Sequence, residues 1–131
     1  MIGLDTNVVV RYLVQDDPTQ SRKATALIEG AIARGDRLYL CSVVLCELVW
    51  VLEAAYGIRK SEVAETLEKI LLAAQFEIEH RDCARAALVD FRRSRADFSD
   101  CLLGRIHEAA GCESTTTFDR AARGLTTFSP P

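Results

Sequence analysis

Short apolar segments alternate with segments of helical periodicity along this chain, and the alternation constrains the fold more than any other feature. Residues 2–4, 38–41 and 76–78 have the length and apolar character of buried strands, and a helical pattern follows each of them. Because parallel strands need crossover connections, this order predicts a mostly parallel sheet with helices on both faces. We therefore expect an α/β fold, a three-layer α/β/α sandwich with short strands, built as a single domain over residues 1–131.

Local signals predict where individual helices begin and end. Asp17 and Pro18 are typical of an N-cap and a first helical residue, and Gly35 is placed to end that helix. Ser42 is expected to cap an apolar helix that runs to about Gly57. Further helices are expected at residues 8–14, from Ser61, from Asp82 and after Asp100, and two more strands at residues 113–118 and 125–128.

Composition restricts the class of protein. Hydrophobic residues make up 49% of the chain, and no apolar run approaches the roughly 18 residues of a membrane span. A basic leader with an apolar stretch is also missing, so we expect a cytoplasmic protein with no membrane association. The five cysteines are scattered without a Cys-x-x-Cys pair, which argues against zinc and predicts reduced thiols packed in the core.

The net charge of −3 argues, by itself, against a nucleic acid as partner. An acidic metal-binding pocket would contribute negative charge that bound cations offset, so whole-chain charge is a weak guide to the partner. Arginines cluster at Arg92, Arg93 and Arg95, with Arg85 earlier on the same predicted helix. Such a cluster is either a solvated helix end or a surface that faces phosphates.

Two aspartates occupy equivalent places in the predicted fold. Asp5 and Asp119 each come directly after a predicted strand. Ligands bind at the carboxyl ends of the strands in an open parallel sheet, so both carboxylates are expected at that edge. The structural alternative for each is an N-cap of the following helix.

Glu47 lies inside the apolar helix predicted after Ser42. A helix that is apolar almost all round is expected to be buried, so Glu47 would need an ion pair with a buried arginine or a metal ion, and we favour the metal. Asp100, expected in the first turn of its helix, and Asp97 before it have a simpler explanation in the helix dipole. Their combination with the other acids favours a shared site.

The repulsion among such acids indicates a cation. Two carboxylates about 4–5 Å apart repel each other by roughly 3–4 kcal/mol at an effective dielectric constant of about 20. Four of them in one pocket would form several such pairs. A divalent cation relieves this repulsion while the acids stay ionised, and ligation by oxygen alone favours Mg²⁺ or Mn²⁺.

The segment from Met1 to Val8 (MIGLDTNV) resembles the opening of PIN-domain proteins, particularly the toxin ribonucleases of VapBC toxin–antitoxin systems. The resemblance spans the whole chain. A mid-chain acid in an apolar helix matches Glu47, the segment ADFSD that ends at Asp100 matches a third motif, and TTFDR, which contains Asp119, matches a fourth. All four motifs occur in order at suitable spacing.

This resemblance implies a five-stranded parallel sheet and an endoribonuclease that depends on Mg²⁺ or Mn²⁺ and hydrolyses RNA with a metal-activated water. It implies inhibition by a cognate antitoxin. The metal-binding acids would be Asp5, Glu47, Asp100 and Asp119. Residues expected to orient the site are Thr6, Asn7, Asp97 and Thr117.

Other functions and partners remain to be weighed. A haloacid-dehalogenase-type phosphatase needs a second aspartate where this chain has Asn7, which disfavours that class. The stronger alternative is a PIN-like module that binds RNA or protein without cleaving. The helices at residues 8–14 and 24–32 carry more apolar surface than a small core needs, so we expect them to contribute to a homodimer contact or an antitoxin-binding groove.

Overall fold

Six α-helices and five short strands form the chain in this computed structural model, which describes residues 1–131 throughout. In chain order they are β1 (Ile2–Gly3), α1 (Thr6–Val14), α2 (Pro18–Ala33), β2 (Leu38–Leu40), α3 (Ser42–Ala54), α4 (Lys60–Leu72), β3 (Phe76–Ile78), α5 (Arg81–Arg93), α6 (Phe98–Ala109), β4 (Thr115–Thr116) and β5 (Phe128–Ser129). A 3₁₀ turn, Ala122–Gly124, precedes the last strand. The fold class is α/β, as the strand–helix alternation predicts.

The contacts divide the chain into two units. Unit 1 comprises Met1–Arg59 and Leu72–Glu79, and unit 2 comprises Lys60–Leu71 and His80–Pro131. Each unit contains its own strands, its own helices and its own buried apolar residues.

Unit 1 is built on a three-stranded parallel sheet in the order β1-β2-β3. The central strand, β2, pairs Leu38 with Ile2 on one side and with Phe76 on the other. Leu38 and Leu40 are fully buried, as expected for a strand with neighbours on both sides. Helix α1 packs against α2 and α3. Each of these helices has a polar residue at its start: Thr6 in α1, Asp17 before α2 and Ser42 in α3.

Unit 2 is organised around the packing of α5 against α6. Phe91 and Phe98 meet edge to face with ring centroids 5.9 Å apart. Arg105 on α6 forms a two-pronged ion pair with Asp90 on α5, with Nε–Oδ2 and Nη2–Oδ1 distances of 2.7 and 2.9 Å. The parallel strands β4 and β5 pair Thr115 with Phe128.

Several predicted helix ends are confirmed. Asp17 is the N-cap of α2, its Oδ1 accepts a hydrogen bond from the Gln20 amide at 2.9 Å, and Pro18 is the first helical residue. Gly35 follows the helix with a φ of 71°. The expected boundary at Ser42 shifts by one residue, because Cys41 occupies the N-cap position and Ser42 begins the helix.

Four of the five predicted strands are longer than those observed, and only the one at residues 76–78 has the predicted bounds. The strands are shared between two sheets rather than joined in one. The segment expected at residues 113–118 contributes only Thr115–Thr116. Ser114 lies exposed, and its hydroxyl bonds the Ser129 hydroxyl at 2.8 Å instead of entering a buried strand. Polar residues beside β4 can bury little apolar area, so they add little stability to a longer pairing of β4 with β5.

The expectation that the cysteines are core residues is correct only for Cys101, which is fully buried. Cys112 is exposed, the other three are half-buried, and no disulfide is formed. The sequence neighbours of Cys112 did not predict its exposure because it lies in the turn after α6. None of the helices has both the length and the hydropathy needed to cross a lipid bilayer.

Candidate active site

Asp5 follows β1 with Leu4 between them, and it occupies the N-cap position of α1. Its backbone carbonyl accepts the amide of Val8 at 3.1 Å, but its side chain makes no capping hydrogen bond. The carboxylate of Asp5 is therefore exposed and available to another ligand, which weakens the alternative that it merely caps a helix.

Glu47 faces the same cleft as Asp5, in unit 1. The cleft has a volume of about 520 Å³, and Thr6, Asn7 and Arg11 also line it. The structure thus brings together the acid that follows β1 and the acid in the middle of α3. Two carboxylates in one open cleft provide hard oxygen donors of the kind that Mg²⁺ and Mn²⁺ prefer.

The reason given for Glu47 from the sequence was wrong, although Glu47 does line a cleft. Helix α3 is not buried all round: its core face is Val44, Leu45, Leu48, Val49 and Leu52. Glu47 is exposed, and so are Val43 at 63% and Trp50 at 69% of their surface. Apolar residues on both faces of a helix cannot reveal which face the core covers, so periodicity failed here.

Thr6 and Asn7 were expected to orient the site, and both line this cleft. Thr6 is only 5% exposed, and its hydroxyl has no hydrogen-bond partner in the protein. A buried hydroxyl without a partner costs free energy, so a ligand or an ordered water is its natural acceptor or donor. Asn7 is exposed and offers an amide to the same space.

Unit 2 gathers the remaining acids. Asp97 is the N-cap of α6, and its Oδ1 accepts hydrogen bonds from the Asp100 amide at 2.8 Å and from the Ser99 hydroxyl at 2.9 Å. The bond from the Asp100 amide orients the first turn of α6, which carries Asp100. Asp97 therefore has a defined structural role that the sequence suggested only as one possibility.

The environment of Asp100 disfavours its charged form. Burial, followed by the charges of Asp97 and Asp119 and hydrogen bonds with both carboxyl groups, raises the pKa of Asp100 to about 6. The Asp100 carboxyl therefore lies close to those of Asp97 and Asp119. A cation at this cluster would relieve the repulsion and return Asp100 to its ionised form.

Asp119 is held by its own loop just after β4. Its amide donates to the Thr117 hydroxyl at 3.0 Å, and its Oδ1 accepts from the Ala121 amide at 2.9 Å. The Asp119 carboxylate stays exposed beyond that bond. Thr117 therefore contacts the backbone of Asp119, and its role in orienting the site stays a prediction.

Glu79 is a residue that the sequence reasoning missed. It follows β3 as Asp5 follows β1, and its Oε1 accepts the Ser42 amide at 2.9 Å, at the start of α3. Burial and the nearby charge of Glu79 raise the pKa of Tyr39. An acid directly after a buried strand was the available signal, and the same rule that selected Asp5 would have selected Glu79.

The donor chemistry of these residues fits a divalent cation, since every acid named above would ligate it through oxygen. Asp5 and Glu47 form one acidic set in unit 1, and Asp97, Asp100 and Asp119 form another in unit 2. No group of three or more His, Cys, Asp or Glu side chains has the spacing of a complete metal site.

Parallel strands linked by helices, with carboxylates near strand ends and at helix starts, define an α/β protein. The sequence profile of the PIN domain matches residues 2–125, and the chain belongs to the PIN domain family. It is similar to a VapC ribonuclease of Aquifex aeolicus (strain VF5), with 26% identity over 122 residues that cover 93% of this chain and 90% of the relative. No solved structure matches the chain significantly.

Proposed function

We propose that this protein is an endoribonuclease that depends on Mg²⁺ or Mn²⁺ and acts as the toxin of a toxin–antitoxin pair. Asp5, Glu47, Asp100 and Asp119 are its metal-binding acids in this proposal. Membership of the PIN domain family and similarity to a VapC ribonuclease support the activity. The cleft that Asp5 and Glu47 share is the structural observation that carries the choice of these two acids, and the interaction of the Asp100 carboxyl with Asp119 supports the other two.

A divalent cation would supply a water nucleophile near neutral pH and would offset charge on the attacked phosphate. The protein's own contribution is to hold the acids in place. Asp97 fixes the first turn below Asp100, and Thr117 fixes the loop of Asp119. Thr6 and Asn7 present a hydroxyl and an amide to the cleft that Asp5 and Glu47 line.

The activity is tested with purified protein and a panel of single-stranded and structured RNAs. Cleavage is expected with Mg²⁺ or Mn²⁺ and is expected to stop on addition of EDTA. The family resemblance implies products with 5′-phosphate and 3′-hydroxyl ends, which a ligation assay identifies. Asp5→Ala is expected to abolish cleavage while the circular dichroism spectrum stays that of the wild type.

Asp82 offers a matched control for the role of the Asp100 charge. Asp82 is also an acid in the first turn of a helix, α5, and it is exposed. Asp100→Asn is expected to lower kcat by at least about a hundredfold, whereas Asp82→Asn leaves it unchanged. Equal activity of the two variants would remove Asp100 from the proposed metal site.

The alternative function is that of a PIN-like module that binds RNA without cleaving it. RNA binding with no cleavage under any of these metal conditions would support that alternative. The acids then would have a structural role only, and Asp100→Asn would leave RNA affinity unchanged. We also propose that residues 1–131 form a single functional domain. Limited proteolysis tests this proposal, and no stable smaller fragment is expected.

The proposed partners are RNA, an antitoxin and a second copy of this chain, in the cytoplasm where an RNA substrate is found. Ile32 on α2 is 42% exposed and lies outside the lining of the pockets described, which provides apolar surface for a protein contact. A dimer mass by light scattering and a short upstream reading frame for a DNA-binding antitoxin are the expected observations. A monomer at all concentrations would exclude the homodimer.

A further inference from the structure

A second depression lies beside the acidic cleft in unit 1. We call it the α1–α2 groove; it has a volume of about 280 Å³, and its lining includes Asn7, Arg11, Gln20, Lys23 and Leu27. Asn7 and Arg11 also line the cleft that contains Asp5 and Glu47. The two depressions therefore adjoin, and a chain-like ligand could extend from one into the other.

The charges of the two depressions differ. Arg11, which is paired with Asp16, lines both depressions. The cleft adds the acids Asp5 and Glu47, whereas the groove adds the cation Lys23 and no acid. A groove of this charge suits an anion, while the neighbouring acids suit a metal ion. A polymer of phosphodiesters meets both requirements, since each bond brings its own negative charge.

Arg11 is fixed in position by its neighbours. Its Nε donates to Gln20 Oε1 at 2.7 Å, and its Nη1 donates to Asp16 Oδ1 and to the Tyr56 hydroxyl, each at 3.1 Å. The Tyr56 hydroxyl in turn donates to Asp16 Oδ2 at 2.8 Å. The structure shows no protein acceptor for Nη2, so a preorganised guanidinium retains a donor for an outside oxygen.

Lys23 completes the cationic lining from α2. It is exposed and forms no ion pair, so its ammonium group is available to a ligand. Leu27, one turn further along α2, adds an apolar surface of the kind against which a sugar or base packs. The groove thus combines two cationic side chains that can donate hydrogen bonds to phosphate oxygens with an apolar side chain that lines the same space.

We infer that the α1–α2 groove binds the RNA backbone beside the cleavage site, with Arg11 and Lys23 donating to phosphate oxygens. This inference rests on the proposed ribonuclease function and names the path of its substrate. Phosphates held here are away from the reacting bond, so the contact stabilises the bound substrate and the transition state equally. Loss of the contact then raises KM and leaves kcat unchanged.

The test compares two charge-matched variants, Lys23→Ala and Arg22→Ala. Arg22 is the adjacent residue on α2; it is exposed and does not line the groove. Binding is measured by fluorescence anisotropy of a labelled single-stranded RNA in EDTA over a range of salt concentrations. The association constant falls with salt, and Lys23→Ala is expected to make the slope of its logarithm against log salt less steep by about 0.7. Arg22→Ala is expected to keep the wild-type slope.

Kinetics on the same RNA with Mg²⁺ or Mn²⁺ supply the second readout. Lys23→Ala is expected to raise KM with kcat within about twofold of wild type, and Lys23→Arg is expected to restore KM. If both alanine variants bind and cleave alike, the groove assignment is overturned, and a protein ligand becomes the better explanation of the groove. If the wild type neither binds nor cleaves RNA, the proposed function fails together with the inference.

Discussion

Asp97 Oδ1 accepts the backbone N–H of Asp100 at 2.8 Å, so one acid of the cluster fixes the helical turn that carries another. The same Asp97 side chain repels the carboxylate that it positions, since its charge contributes to the raised pKa of Asp100. Stability and charge repulsion are thus coupled at the start of α6. This coupling allows the two roles of Asp97 to be separated by substitution.

Asp97→Ala is expected to lower the free energy of unfolding by about 1 kcal/mol, because the α6 N-terminus loses its cap. Asp97→Asn keeps a capping side chain and removes the charge, so its stability should match or exceed that of the wild type. Urea unfolding measures both values. If positioning is the role of Asp97, Asp97→Asn also retains cleavage; a stable but inactive Asp97→Asn would indicate direct contact with metal or substrate.

The raised pKa of Asp100 predicts how stability changes with pH in the absence of metal. Because the folded-state pKa, about 6, lies above the ordinary value of 3.8, ionised Asp100 destabilises the fold at neutral pH. The cost falls as the pH drops below about 6, where the folded form becomes protonated, and it is gone only below 3.8, where the unfolded form is protonated as well. Asp100→Asn should therefore raise Tm in EDTA at about pH 7.5 and give a smaller gain at about pH 5. A gain that is the same at both pH values would contradict the assignment.

Metal binding at Glu47 is tested against Glu53 on the same helix, which is exposed and does not line the cleft. Mn²⁺ should raise the Tm of the wild type and of Glu53→Gln, because a ligand that binds the folded state stabilises it. In Glu47→Gln the rise should be smaller at the same Mn²⁺ concentration. Equal shifts in all three proteins would remove Glu47 from the set of metal ligands.

Glu79 is expected to stabilise α3 through its bond to the Ser42 amide. Glu79→Ala leaves that half-buried N–H without its acceptor and should lower the free energy of unfolding by about 1–2 kcal/mol. Glu79→Gln retains an oxygen acceptor and should recover most of the loss. Thermal or urea unfolding distinguishes them, and an unfolding free energy for Glu79→Ala equal to that of the wild type would show that the bond contributes nothing.

Gly104 marks the close approach of α6 to β5 in unit 2. A Cβ at this position would lie 2.6 Å from Cε2 of Phe128 and would also collide with the Thr127 hydroxyl. Gly104→Ala is expected to cost about 1–3 kcal/mol through overpacking. Gly124→Ala is the control, because a Cβ there meets no atom within 4 Å. A Tm for Gly104→Ala as high as that of the control would contradict this packing.

The sequence by itself determined the features that depend on neighbouring residues. The local residue types predict the N-cap at Asp17, the turn at Gly35, the strand Phe76–Ile78 and the position of Asp5 close to the end of β1. Caps, turns and strand ends are governed by hydrogen bonds and backbone preferences within a few residues, so a linear pattern predicts them.

Only the tertiary structure decided which faces are covered and which charges interact. Helix α3 has apolar residues on both sides, and packing alone selected Leu45 and Leu48 for the core and left Glu47 and Trp50 exposed. The raised pKa of Asp100 depends on Asp119, which is 19 residues away in sequence. Burial and electrostatic repulsion depend on distances in space, and no local pattern in the chain contains them.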